Sequence, residues 1–213
     1  MTNQIIDVLE TVRTTGWCRL GPMSDQEYRE LVARLGRPWC ETAVELRPDV
    51  RSYLCHAEAV PFHTDHPDAD LMSWRCEVQD ATDGTQQLVD GHAALRACGE
   101  GVRDALTHVH AEVRVRGDSP PSRIPIVRPS PAGDRLFFAP WLKPVEADAH
   151  SIAALDLLRA EIERRTTTHI QEVRLDEGEV LVIDNGRLLH GRGPIDTTSR
   201  RRLRRFWITL PAS

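Results

Sequence analysis

Two short motifs in the chain contain residue types that commonly bind metal ions. The first is Pro61-Phe62-His63-Thr64-Asp65, in which a histidine and an aspartate are two positions apart. In extended backbone, side chains two positions apart point to the same side, so His63 and Asp65 can reach one ion. In the second motif, an apolar strand-like run leads through a turn to His190. The sequence therefore offers two imidazoles and one carboxylate as candidate metal ligands.

These three ligands would define a particular kind of metal chemistry. Two histidines and one carboxylate on a single face of an octahedral ion form the facial triad of non-haem iron(II) oxygenases. Such a site leaves positions open for a chelating co-substrate and for O2, whereas a site closed by four protein ligands would be structural. The His-x-Asp pair alone is weak evidence, because such motifs arise by chance and a buried histidine often only satisfies a hydrogen bond.

Arginines downstream of His190 strengthen the metal interpretation. Arg201 follows His190 by eleven positions and Arg205 comes four positions later, both within an apolar, strand-like segment. Residues i and i+4 of a strand face the same way, so the two guanidinium groups are predicted to share one side. A buried guanidinium is costly unless an anion pairs with it, and it clamps a carboxylate through two parallel hydrogen bonds. The alternative is a solvated edge strand whose arginines deter aggregation, which suits the neighbouring arginines better than these two.

The elements that must position these residues are many short strands and a few helices. The spacing of apolar residues predicts helices over 5–14, 24–36, 91–106 and 149–166, the second with a Ser24–Glu27 capping box. Strands are predicted over 16–20, 71–79, 85–89, 109–115, 169–175, 179–184 and 202–210, with a hairpin joining 124–127 to 135–138. A Pro/Ser-rich loop over 118–121 makes 116–128 a candidate lid. This pattern favours a β-sandwich or jelly roll with helical buttresses.

Length and composition narrow the class of protein. A chain of 213 residues with 40% hydrophobic and 28% charged residues suits one globular domain spanning residues 1–213. The net charge of -5 and the lack of a long apolar run give no reason to expect a nucleic-acid or membrane partner. The five cysteines share no short metal-type spacing, and the start of the chain has no signal-like apolar stretch, so a cytoplasmic protein with reduced thiols is expected. Composition says nothing about the oligomeric state.

From Gly16 to Leu210 the chain resembles the taurine dioxygenase/clavaminate synthase-like superfamily of iron(II)/2-oxoglutarate-dependent oxygenases. The motifs that carry the resemblance are Gly16-Trp17-Cys18-Arg19-Leu20, Leu35-Gly36-Arg37-Pro38, Phe62-His63-Thr64-Asp65, Asp83-Gly84-Thr85, Asp184-Asn185-Gly186-Arg187-Leu188-Leu189-His190-Gly191-Arg192, and Arg201 with Arg205. Each motif is weak alone, but their order and spacing together are specific. The resemblance implies an α+β fold with a double-stranded β-helix (jelly-roll) core and helices packed on one side.

The resemblance also implies how the cofactor and co-substrate are bound. The three candidate ligands His63, Asp65 and His190 would bind Fe(II) and form the catalytic centre. Arg201 would pair with the distal carboxylate of 2-oxoglutarate, which is consumed together with O2. Thr85 matches a position whose hydroxyl supports that carboxylate, although family members commonly have Gly-Gly before the threonine where this chain has Asp83-Gly84.

The expected substrate is a small anionic molecule, and the expected reaction is hydroxylation or desaturation of an unactivated C–H bond. Arg205 matches a position that often binds an acidic group of the primary substrate, which favours an amino acid or an amino-acid-derived metabolite. Arg192 and His66 are further candidate substrate contacts because they directly flank the metal-ligand motifs. Two alternatives remain: a facial-triad oxygenase that needs no 2-oxoglutarate, and a catalytically silent jelly-roll protein that binds small anions in a metal-dependent way.

Overall fold

The computed structural model describes residues 2–47, 55–81, 84–113, 121–130 and 133–211. In these ranges the helices are α1 (Thr2–Thr15), α2 (Asp25–Leu35), α3 (Gly91–Cys98), α4 (Glu100–His108) and α5 (Ala149–Thr168). The strands are β1 (Trp17–Leu20), β2 (Arg37–Glu45), β3 (Val60–His63), β4 (Leu71–Val78), β5 (Gln86–Asp90), β6 (His110–Val113), β7 (Ser122–Pro125), β8 (Val127–Arg128), β9 (Arg135–Leu136), β10 (Pro144–Val145), β11 (Gln171–Val173), β12 (Val180–Asp184), β13 (Leu188–Arg192) and β14 (Arg202–Thr209).

Two antiparallel sheets form the centre of the fold. The larger sheet has the strand order β1-β12-β4-β14-β2, and the smaller has the order β11-β5-β13-β3. Apolar side chains from both sheets meet in one buried cluster, which includes Met72, Trp74, Leu88, Leu181 and Leu203. Two facing antiparallel sheets around one core form the double-stranded β-helix, so the predicted α+β class with a jelly-roll core is confirmed.

Helices cover the outer faces of both sheets. Helices α1 and α2 pack on the larger sheet, where Val12 and Val32 meet Phe206 and Ile208. Helices α3, α4 and α5 form a second apolar cluster with Leu189 of the smaller sheet. The helical layer is therefore more extensive than the one-sided layer that the resemblance implies. No helix in the described ranges has the length and apolar character needed to span a membrane.

Local signals explain where several elements begin and end. The predicted capping box precedes α2: the Ser24 side chain accepts from the Glu27 backbone N–H, and the Glu27 carboxylate accepts from the Ser24 N–H. The single helix predicted over 91–106 is instead two helices, α3 and α4. Gly99 separates them with φ +87, a left-handed backbone conformation that interrupts a helix and that glycine adopts without strain.

Strand β14 settles the two interpretations of the arginine-rich segment. It lies between β4 and β2, so the edge-strand alternative is wrong for the position of this strand in the sheet. Phe206 and Ile208 join the cluster under α1 and α2, whereas Leu203 joins the core between the sheets. By alternation, Arg205 and Trp207 share the inward face with Leu203. This face lies against the core between the two sheets, which is why Arg205 is buried.

Some of the expectations from the sequence are incomplete, and others concern residues outside the described ranges. The sequence gives only weak strand signals over 40–60, yet β2 is a nine-residue strand. Strand β13, which carries His190, is indicated in the sequence only as a return from a turn. Most of the loop predicted over 118–121, and Asp83 of the Asp83-Gly84-Thr85 motif, lie outside the described residues. Of the candidate lid, the described part includes β7, which pairs with β6.

Candidate metal centre

The three predicted ligands converge between β3 and β13. The antiparallel register places His63, the last residue of β3, opposite His190 on β13, and Asp65 follows two positions after His63. All three side chains are buried, and one ligand atom from each lies within 4.8 Å of the others. The Nε2 atom of His63 is 3.7 Å from Oδ1 of Asp65, and Nε2 of His190 is 3.8 Å from Oδ2. The predicted convergence of two imidazoles and one carboxylate is confirmed.

Both imidazoles are arranged to bind a metal. The Nδ1 atom of His63 lies 2.8 Å from the Pro61 carbonyl, which can only accept, so Nδ1 carries the proton and Nε2 presents its lone pair to a metal. Burial, together with the nearby His63 and Arg205, lowers the pKa of His190 to about 3, despite the opposing effect of Asp65. Both ring nitrogens of His190 are buried without a hydrogen-bond partner among the described residues. A bound metal ion would satisfy one of these nitrogens.

Asp65 is held as an ionised ligand. Its Oδ2 atom accepts hydrogen bonds from Nη1 of Arg205 at 2.7 Å and from Nε1 of Trp207 at 2.9 Å. Burial by itself would raise the pKa of this carboxyl, but the Arg205 guanidinium holds it well below its usual range. The site therefore offers one carboxylate and two imidazoles, a donor set suited to a divalent transition metal.

The turn that carries Asp65 is fixed by two polar side chains. The backbone amide of Thr64 donates to the Phe138 carbonyl at 2.8 Å, and the Thr64 hydroxyl accepts from the Phe138 amide at 2.9 Å. The side-chain oxygen of Asn185 accepts from the backbone N–H of the ligating aspartate at 2.8 Å. Its amide nitrogen donates to the carbonyls of His66 and Ala69 at 3.1 and 2.9 Å. Asn185 thus connects the β12–β13 turn to the turn after β3.

A narrow basic cleft adjoins His190. Its polar lining consists of Gln86, His190, Arg192, Arg201 and Arg205. Arg201 is only 3% exposed, and its Nε has no hydrogen-bond partner among the described residues. Burial, reinforced by the neighbouring Arg192, lowers the pKa of Arg201 to about 10. A buried guanidinium next to another, with no carboxylate partner in the described part of the chain, favours binding of an anion, so the cleft fits a carboxylate-bearing co-substrate beside the metal ligands.

The backbone before β5 makes room for Arg201. Gly84 has φ +88, and a Cβ atom at this position would collide with Cδ and Nε of Arg201. Glycine therefore serves both the left-handed conformation and the close approach of the arginine. Thr85, the predicted support for the co-substrate carboxylate, is half-buried and does not line the cleft, whereas the next residue, Gln86, does. The role of Thr85 stays a prediction.

The three predicted substrate contacts lie near the centre but already have protein partners. Arg205 donates to the aspartate ligand, as described above. Arg192 is buried, and its Nη2 donates to the carbonyls of His56 and Glu58 at 2.9 and 3.2 Å. His66 has its Nε2 buried without a partner in the described ranges, while its Nδ1 accepts a backbone hydrogen bond. The substrate roles of these residues stay predictions.

Sequence reasoning missed three residues of the site. Trp207 was foreseeable, since strand alternation places it on the same face as Arg205. Asn185 belongs to the motif before His190, but its hydrogen bonds to another turn have no signal in the sequence. Gln86 pairs with Arg192 across β5 and β13, a register that only the folded sheet establishes.

A triad able to hold iron, beside a buried basic cleft and inside a double-stranded β-helix, defines the class of non-haem iron oxygenases. The chain matches the family model of the Taurine catabolism dioxygenase TauD, TfdA family over residues 15–207, and it belongs to this family. It is accordingly an iron(II)- and 2-oxoglutarate-dependent dioxygenase that consumes O2. Among curated proteins, no sequence matches the chain.

Several solved structures share the fold at low sequence identity. AAD-2 in complex with Mn(II) and N-oxalylglycine has a TM-score of 0.78 and 16% identity, with 100% of this chain and 89% of that chain covered. Asparagine oxygenase with Fe(II), 2S,3S-3-hydroxyasparagine and succinate has a TM-score of 0.76 and 16% identity, with 98% and 80% covered. The non-heme iron oxygenase OrfP with Fe and alpha-ketoglutaric acid has a TM-score of 0.75 and 17% identity, with 98% and 80% covered.

Proposed function

We propose that the protein hydroxylates an unactivated C–H bond of a small anionic substrate, an amino acid or an amino-acid-derived metabolite. When bound, Fe(II) with 2-oxoglutarate and O2 supplies the oxidising chemistry: one oxygen atom enters the substrate, and 2-oxoglutarate becomes succinate and CO2. The protein's own residues hold the metal, orient the co-substrate and substrate, and limit the access of water.

The observation that carries this proposal is the Arg201 guanidinium, which lies in the cleft beside the metal ligands and has no carboxylate partner among the described residues. A dicarboxylate co-substrate can satisfy this guanidinium at one end while its other end reaches the metal. Gln86 offers a neutral amide to the same cleft. The buried anion site supports dependence on 2-oxoglutarate, because an oxygenase that works without it has no use for a carboxylate clamp at this position.

Two features support an amino-acid substrate. The asparagine oxygenase and OrfP structures with similar folds contain a hydroxylated amino acid, 2S,3S-3-hydroxyasparagine and (3S)-hydroxy-L-Arg respectively. In this chain Arg205 lines the cleft, and its Nε is buried without a partner among the described residues, so it retains a donor for a carboxylate.

Aromatic side chains lie on either side of the centre: Trp141 contacts His63, and Trp39 contacts His66. Trp141 and Trp39 are 48% and 38% exposed, as expected at an entrance.

The test is succinate release from the purified protein supplied with Fe(II), 2-oxoglutarate, O2 and a panel of amino acids. The expected result is release that requires 2-oxoglutarate and rises with one class of amino acid, which gains one oxygen atom by mass spectrometry. A product lacking two hydrogen atoms would indicate desaturation of the same substrate. Asp65→Ala removes the anionic metal ligand and is expected to abolish turnover.

Three outcomes of these experiments would contradict parts of the proposal. Tight metal and anion binding without succinate release, with every amino acid tested, would favour the silent binding protein. O2 consumption that continues without 2-oxoglutarate would favour the oxygenase that does not need this co-substrate. Full activity of Asp65→Ala would refute the assignment of Asp65 as a ligand.

A further inference from the structure

The Asp65 carboxylate is asymmetrically bound by the protein. Both of its hydrogen bonds to side chains of β14 end on Oδ2, from Arg205 at 2.7 Å and from Trp207 at 2.9 Å. Oδ1 accepts no such bond among the described residues; it lies 3.7 Å from Nε2 of His63, while Oδ2 lies 3.8 Å from Nε2 of His190. We propose that Trp207 is a positioning residue: together with Arg205 it immobilises Oδ2, so that Asp65 offers Oδ1 alone to the metal. This inference rests on the proposed function and deepens it.

The indole of Trp207 is itself held in place by its neighbours. The ring centroids of Trp39 and His66 lie 5.0 and 5.7 Å from that of Trp207, and the Arg205 guanidinium lies 5.1 Å from its centroid. The register between β14 and β2 shifts at Trp207/Ile208, which places Trp39 as the extra residue of a β-bulge. Packing by two rings and a guanidinium fixes the direction in which the Trp207 N–H points.

The chemical type of the donor matters at this position. An indole N–H can only donate, does not titrate, and adds no charge beside a divalent cation. A second arginine or a lysine could hold the same oxygen, but its positive charge would oppose metal binding. Arg205 already supplies the one charge that keeps Asp65 ionised, so a neutral donor completes the support without further electrostatic cost.

The expected consequence is a loss of metal affinity when the N–H is removed. Outer partners that orient a metal ligand typically contribute about 10- to 100-fold to metal affinity. Without the Trp207 bond, Asp65 can rotate about its side-chain torsions and offer either oxygen or both. The coordination geometry, as well as the affinity, should therefore change.

The experiment compares Trp207→Phe with Trp17→Phe in the full chain. Trp17 packs against the same core cluster between the sheets as Trp207, but no indole hydrogen bond from it occurs among the described residues, so it controls for the loss of ring area. Mn(II) and Co(II) dissociation constants are measured by titration, and the Co(II) absorption spectrum reports the ligand geometry. The expected result is about 10- to 100-fold weaker binding with an altered spectrum for Trp207→Phe, and less than about twofold change for Trp17→Phe.

A second substitution separates the effect of losing the N–H group from any effect on folding. Benzothienylalanine has the shape of tryptophan but carries sulfur in place of the N–H, and its incorporation at position 207 should reproduce the weakened metal binding with an unchanged metal-free unfolding midpoint. Equal metal affinity and an equal Co(II) spectrum in wild type and both position-207 variants would overturn the inference alone. Absence of metal binding by the wild type would instead overturn the proposed function.

Discussion

His63 and His190 lie directly opposite each other on the antiparallel strands β3 and β13, with their ring centroids 4.4 Å apart. In this chain the two histidines are separated by most of the fold, so their meeting depends on one register between two strands. A shift of that register by one residue would turn one imidazole to the other side of the sheet. The metal centre is therefore as well defined as the pairing of β3 with β13.

Replacing Arg201 with methionine should weaken 2-oxoglutarate binding and stabilise the metal-free protein at the same time. Loss of two charge-assisted hydrogen bonds costs about 3 kcal/mol, which corresponds to an increase of about 100-fold in the KM for 2-oxoglutarate. Removal of a buried charge that has no carboxylate partner within the described ranges should raise the unfolding midpoint without ligands. Steady-state kinetics and thermal unfolding measure the two effects.

The control for that change is Arg202→Met. Arg202 precedes Leu203 on the outward face of β14 and is paired with Glu77 at 2.8 Å. Its loss should leave the KM for 2-oxoglutarate within about twofold of wild type, since surface ion pairs contribute little. An unchanged KM in Arg201→Met would show that the co-substrate carboxylate is held elsewhere.

Gly84→Ala should impair co-substrate binding through a contact rather than through charge. The added methyl group would displace Arg201, so the KM for 2-oxoglutarate should rise about tenfold, and the left-handed backbone should cost about 1 kcal/mol of stability. Gly99→Ala is the matched control, because Gly99 has φ +87 but no atom within 4 Å of the place that a methyl group would occupy. Both variants should lose stability in urea unfolding, and only Gly84→Ala should change the KM.

Asn185→Ala should disturb the metal centre from outside the ligand set. It removes three hydrogen bonds between the β12–β13 turn and the turn that carries Asp65, at a cost of about 2 kcal/mol or more because the partners are buried. Metal affinity should fall about tenfold, since the backbone of Asp65 loses its anchor. Calorimetric Mn(II) titration and urea unfolding test this, and wild-type values in both would exclude the anchoring role.

Ligands should stabilise the protein in two separable steps. At concentrations of about 100 times its dissociation constant, a ligand that binds only the folded state adds about 2.7 kcal/mol to the free energy of unfolding. Mn(II) and then 2-oxoglutarate should each raise the unfolding midpoint, and a chelator should reverse both increments. In Arg201→Met the rise in the unfolding midpoint with Mn(II) should persist, while the rise with 2-oxoglutarate should disappear. If 2-oxoglutarate still raises the unfolding midpoint of this variant, its carboxylate is bound outside the cleft.

The chemistry of the metal centre could be predicted from the amino-acid sequence. His63 and Asp65 were recognisable from strand spacing, His190 from the turn after an apolar strand, and the resemblance to a known family supplied the fold around them. Strand alternation predicted that Arg201 and Arg205 share one side, and both line the cleft beside His190, since the side-chain period of a strand is a local property. The α2 capping box was predictable for the same reason, because its partners are three residues apart.

The partner of each side chain, in contrast, depends on how the whole chain folds. Strand alternation gives the face on which Arg205 lies, but only the folded sheets bring it to Asp65 and bring Arg201 into the same cleft. The hydrogen bond from Trp207, the backbone carbonyls that hold Arg192 and the space kept open by Gly84 all join segments distant in the chain. Hydrogen bonds and steric contacts depend on separations of a few tenths of an ångström between such segments, and these separations are set by the packing of the whole fold.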